Sequence, residues 1–103
     1  MKIQVNTDRN IQGDERLAEF VEKVVGDSLS RFRERITRVE VHLGDSNAGK
    51  PGNDDKRCMI EARLAGRQPT AVTHHAGSVR DAVTGATDKI ERALERELGK
   101  QGH

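Results

Sequence analysis

Two histidines stand side by side at His74 and His75, and the chain's one thiol, Cys58, precedes them. Imidazole and thiolate are common zinc ligands and the parts of a Cys/His nucleophile, so these are the first candidates for chemistry. The local pattern argues against both uses. TAVTHH reads as a strand, where adjacent side chains point to opposite faces, so the two imidazoles do not readily share one metal ion. KRCMIEARLAG alternates, which puts Cys58, Ile60, Ala62 and Leu64 on one inward face. A cysteine there is a small hydrophobe, not a nucleophile in a polar cleft. The expectation is a strand end with one exposed and one half-buried histidine. A phosphate loop fails as well, because Lys50 is followed by Pro51 where a Ser or Thr belongs. Asp45, Asp54 and Asp55 miss the calcium-loop spacing, and a single cysteine excludes an internal disulfide or a Cys-rich zinc module. No enzyme, metal or cofactor signature survives.

The remaining chemistry is charge. At about 100° per residue, Lys89, Arg92, Arg96 and Lys100 project to one flank of a helix, beside its apolar stripe. Cations at that spacing suit a reader of consecutive phosphates, acting by charge and counterion release. Asp88, Glu91 and Glu95 are expected on the far side. An ordinary solvated face, with Glu91 and Glu95 paired to neighbouring arginines along the helix, explains the same run, and spacing alone favours it. Earlier in the chain Lys23 and Arg16 share one side of a helix and Arg31 and Arg35 another. Arg31, Arg33, Arg35 and Arg38 cluster where that helix ends, which also suits the helix macrodipole.

The elements that must position these residues follow from periodicity. KIQVN is a short strand with Ile3 and Val5 on one face. Asp14 is a plausible N-cap, and Leu17, Val21, Val24, Val25, Ser28, Phe32 and Ile36 recur at helical spacing, predicting a helix over 14–35. TRVEVHLG alternates, with Val39, Val41 and Leu43 inward and Arg38, Glu40 and His42 outward. A polar tract over 44–55, with three glycines and a proline, reads as a long hairpin loop. After the strands of Cys58 and of TAVTHH, Val79, Val83, Ala86, Ile90, Ala93, Leu94 and Leu98 define a second long helix ending near Gly99. The order is β-α-β-β-β-α, an α+β fold in which two amphipathic helices cover one face of a four-stranded sheet.

Composition bounds what such a domain can bind. The 103 residues fit one domain, 1–103. No apolar stretch is long enough for a membrane span or a signal peptide, so the expected location is the cytoplasm. With no Trp, no Tyr and two Phe, the composition argues against a single-strand binder that stacks bases on aromatics. The 18 Lys+Arg against 17 Asp+Glu give only +1, but the charges are segregated. The first thirty residues hold four basic and six acidic side chains, whereas 31–38 has four arginines against Glu34. A local anion-binding surface is compatible with that pattern.

The order of elements, with the runs TRVEVHLGDSN, DKRCMIEARLAGRQPTAV and DAVTGATDKIERALER, resembles the hibernation-promoting factor / ribosome-associated inhibitor family, once described as σ54 modulation proteins. The likeness spans nearly the whole chain, and KIERALER is similar to the family's Lys-Leu-Glu-Arg-Gln-Leu segment. The resemblance implies a double-stranded-RNA-binding-domain-like arrangement. It further implies binding to the small ribosomal subunit in the mRNA/tRNA channel, with basic helix residues on 16S rRNA and translation blocked by occupancy. Lys89, Arg92 and Arg96 match the family's basic positions best, with Lys100, Lys23, Arg31 and Arg35 as further rRNA-binding candidates. Arg80 stands where the family usually carries a Tyr, and Ala18 and Val24 occupy usual basic positions. The chain stops short of the C-terminal domain with which long members dimerise ribosomes, so a monomer off the ribosome is expected. A competing expectation is a protein-interaction or stress-response module of the same fold that has lost rRNA binding.

Overall fold

Alternation at the start of the chain forms β1, Lys2–Thr7, with Ile3 and Val5 packed on the core. The Asp14 carboxylate then accepts the Leu17 N–H at 2.9 Å and N-caps α1, Glu15–Leu29, as its position predicts. The structure, a computed structural model, describes residues 1–45 and 55–99. Lys100 and the centre of the polar tract, 46–54, therefore lie outside the described residues. Of the tract's ends, Gly44 and Asp45 belong to a strand and Asp55 is buried.

The predicted reach of the first helix to Arg35 is corrected. Regular α geometry stops at Leu29, and Ser30–Phe32 form a 3-10 turn. The Ser30 hydroxyl donates back to the Asp27 carbonyl at 3.0 Å, a local bond that competes with continuation of the helix. Phe32 still reaches the core from the tighter turn, but Ile36 does not belong to the helix. It opens β2, Ile36–Asp45.

β2 pairs parallel to β1 and antiparallel to β3, Lys56–Leu64, which pairs antiparallel to β4, Thr70–Ala76, giving the order β1-β2-β3-β4. The β2–β3 register shifts by one residue: Ile36 is opposite Leu64, yet Arg38 is opposite Arg63. The extra residue, Thr37, donates its hydroxyl to the Arg63 carbonyl at 3.1 Å. This bulge lets Ile36 and Val39, three positions apart, both face the core. Between β3 and β4, Gly66 at φ 73° takes a conformation that L side chains rarely adopt, and the Arg67 N–H closes the turn on the Leu64 carbonyl at 3.3 Å.

Ser78 caps α2, Val79–Gly99, by accepting the Asp81 N–H on its hydroxyl at 3.1 Å. α2 lies on β3 and β4, and α1 on β1 and α2. The layer between helices and sheet is fully apolar at its centre, where Val21, Val39, Ile60, Ile90 and Leu94 have no exposed surface. The opposite sheet face, carrying Gln4, Glu40, His42, Glu61 and Arg63, has no helix over it among the described residues.

Candidate nucleic-acid interface

On α2, Lys89, Arg92 and Arg96 are all exposed along the flank that borders β4. Lys89 fixes that placement, because its Nζ donates to the Thr73 carbonyl of β4 at 3.0 Å. One of the three donors of the ammonium is used in this way. Beneath the flank, Gly85 passes so close to the His74 ring that a Cβ at Gly85 would overlap imidazole Cδ2 and Nε2. Glycine and the half-buried imidazole thus set how near α2 comes to the edge strand.

The expectation that the acids lie on the far side is corrected for Asp88. It stands one turn before Arg92 and pairs with it at 2.8 Å. Glu91 and Glu95 do lie away from the flank, but they do not pair along the helix. They take Arg31 from the 3-10 turn that follows α1, with Arg31 Nη2 at 3.5 Å from Glu91 and 3.1 Å from Glu95. Ser28, read from the sequence as part of the apolar stripe, donates to Glu91 at 2.9 Å, so Glu91 and Glu95 serve helix–helix packing. The Arg31 guanidinium also lies over the Phe32 ring, 4.5 Å from its centroid.

The candidate cations are therefore not one patch. Arg31 meets α2 from the α1 side, across the helix from Lys89. Lys23 pairs with Asp27 at 3.4 Å on exposed α1 surface. Arg35 is exposed on the turn into β2, where its carbonyl accepts the Ala65 N–H at 3.1 Å. Among the described residues Arg35, Lys89 and Arg96 have no ion pair, so of the candidate cations these three keep their charge uncompensated.

Cys58 and the two histidines take the faces that alternation along their strands implies. Cys58 is fully buried on the helix side of β3, and burial pushes its thiol up to about 12. His74 is its cross-strand partner, while His75 is exposed on the other face, opposite Arg57. Among the described residues no three His, Cys, Asp or Glu side chains come together as a metal site, and no helix is long and apolar enough to cross a membrane. A cleft of about 420 Å³ opens between the starts of the helices, with Ile11, Leu17 and Val79 in its lining. Three cations line it, Arg16, Lys56 and Arg80, and the last two are engaged. Lys56 contacts Asp45 at 3.2 Å and Asp55 at 3.3 Å, contacts that raise its pKa, and Arg80 stacks on Phe20 with its guanidinium 4.6 Å from the ring centroid.

Residues 4–101 match the family described as sigma 54 modulation protein / S30EA ribosomal protein. The chain belongs to that family. Two solved structures share its fold. The N-terminal domain of Protein Y from Thermus thermophilus superposes with a TM-score of 0.74 at 24% identity, over 93% of this chain and 98% of that one. A ribosomal subunit interface protein from Coxiella burnetii superposes with a TM-score of 0.76 at 19% identity, over 96% of this chain and 99% of that one. No curated protein matches the chain by sequence. The fold match agrees with the sheet and two-helix layer expected from the sequence.

Proposed function

We propose that this family member binds the small ribosomal subunit on 16S rRNA, in the channel used by mRNA and tRNA. It blocks translation there by occupancy under stress or in stationary phase, in the cytoplasm, with no bond made or broken. The observation that carries the reading is the α2 flank, where Lys89, Arg92 and Arg96 stand exposed beside the sheet edge in a chain of a ribosomal protein family. Guanidinium forks and an ammonium in a row suit phosphates, and the absence of Trp and Tyr makes backbone contact the available mode.

Co-sedimentation with 30S subunits and 70S ribosomes across a salt series tests this, using wild type and a Lys89→Glu/Arg92→Glu/Arg96→Glu variant. Salt-sensitive co-migration is expected for the wild type and its loss for the variant, and each single neutralisation should lower the salt slope by about one. Salt-independent binding would sink the mechanism.

One observation favours a second reading. Lys23, Arg31 and Arg92 each already hold an acid, as in a protein-interaction module that has given up RNA. That reading predicts no co-migration even at the lowest salt.

A further inference from the structure

The uncovered sheet face carries cations that the α2 flank does not explain. Register sets Lys2 beside Arg38 and Arg38 beside Arg63, so three cations lie abreast across β1, β2 and β3. Like charges directly opposite each other destabilise a sheet. The bulge is what creates the row: continuing the Ile36–Leu64 pairing without a shift would set Thr37, not Arg38, opposite Arg63. Next along the strands, Glu40 and Glu61 face each other and compensate in part. Arg63 reaches Glu40 at 3.3 Å and Glu61 at 3.2 Å, and Arg38 Nε stands 3.6 Å from Glu40. Arg38 also donates to Gln4, yet its buried Nε has no hydrogen-bond partner. Lys2 has no ion pair among the described residues. On the turn leading into this row, Arg33 and Arg35 are exposed and likewise without ion pairs among the described residues.

We propose that this end of the open sheet face is a second RNA-backbone contact, so that the domain is gripped between two phosphate strands instead of resting on one. The inference builds on the ribosomal reading above, but places the second strand on the side of the sheet away from α2. The chemistry selects phosphate over a protein partner. The row offers planar guanidinium forks at strand spacing, and the face has no aromatic side chain to add to its arginines, whereas protein interfaces are commonly anchored by both. Phe20 and Phe32 are both on the helix side, packed on the core.

The test is a hydroxyl-radical footprint of rRNA in small subunits bound by the full chain. It compares wild type, the α2 triple variant, and a Lys2→Gln/Arg33→Gln/Arg35→Gln variant that leaves the Glu40 network intact. Arg63→Gln is a second sheet-face variant, and thermal melts establish that each is folded. The wild type is expected to protect two separated backbone segments. The sheet-face triple variant loses one, keeps the other, and binds with a salt slope shallower by about two to three. A folded sheet-face variant with both footprints and an unchanged slope overturns the inference, as does loss of a cross-link to ribosomal protein in place of an RNA footprint. No protection by the wild type overturns the ribosomal reading itself.

Discussion

Arg92 is held by Asp88 at 2.8 Å, but both side chains are more than half exposed. A pair of that kind is worth at most about 1 kcal/mol, so a phosphate can displace the carboxylate at little cost. Asp88→Asn should leave the melting temperature nearly unchanged and tighten ribosome binding by about two- to fivefold at low salt. Unchanged or weaker binding in a titration against 30S subunits would show that Arg92 does not face phosphate. Cys58 acts on stability, not binding. Its folded-state pKa is raised from 9.0 to about 12, so the folded thiol keeps its proton where the unfolded one has lost it. Stability from this group is complete below pH 9 and declines as pH rises toward 12, by about 1.4 kcal/mol per pH unit. Urea titrations from pH 8 to 11 should therefore show a steeper alkaline loss for wild type than for Cys58→Ala. Parallel curves would contradict the assignment.

At the scale of elements, the seat of α2 on β4 depends on Gly85 and His74. Alanine in a helix interior is favoured over glycine by about 1 kcal/mol, whereas overpacking costs about 1–3 kcal/mol. Gly85→Ala should thus destabilise the protein, and in a His74→Ala background the same change should become stabilising. Equal effects in both backgrounds, measured by denaturant unfolding, would mean that the ring does not set the approach. Part of this architecture was legible. Alternation in Val39-Val41-Leu43 and Cys58-Ile60-Ala62-Leu64 is local information, and it assigned the buried faces and the opposite orientations of His74 and His75. The end of α1 was not legible, because Phe32 and Ile36 continue its apolar period although one sits in a 3-10 turn and the other opens β2. The bulge at Thr37 leaves no mark in composition, so the row of Lys2, Arg38 and Arg63 was invisible. Arg31 finds Glu91 and Glu95 only through tertiary packing. Asp88 was different: it stands four residues before Arg92, and that spacing alone argues against an acid-free flank.

Over the whole molecule, a net charge of +1 means that the chain exerts little long-range pull on a polyanion. The acids that hold Lys23, Arg31 and Arg92 offset their fields at a distance, and salt screens what remains beyond roughly 10 Å at 0.1 M. Steering, which speeds association of strongly charged partners, should therefore be weak here. On the proposed reading, contacts at Lys89, Arg92 and Arg96 form only once the surfaces meet, so they should act on the bound state and slow its dissociation. Stopped-flow binding of a labelled chain to 30S subunits between 50 and 200 mM salt should place most of the salt dependence in the dissociation rate. The association rate should stay near the unsteered range of about 10⁵–10⁶ M⁻¹s⁻¹ and change little. If the association rate carries most of the salt dependence, the cations act as a distant field and the Arg92–Asp88 pair is broken before contact. Under that outcome Asp88→Asn would change the association rate, whereas local displacement of the carboxylate predicts a change in dissociation alone.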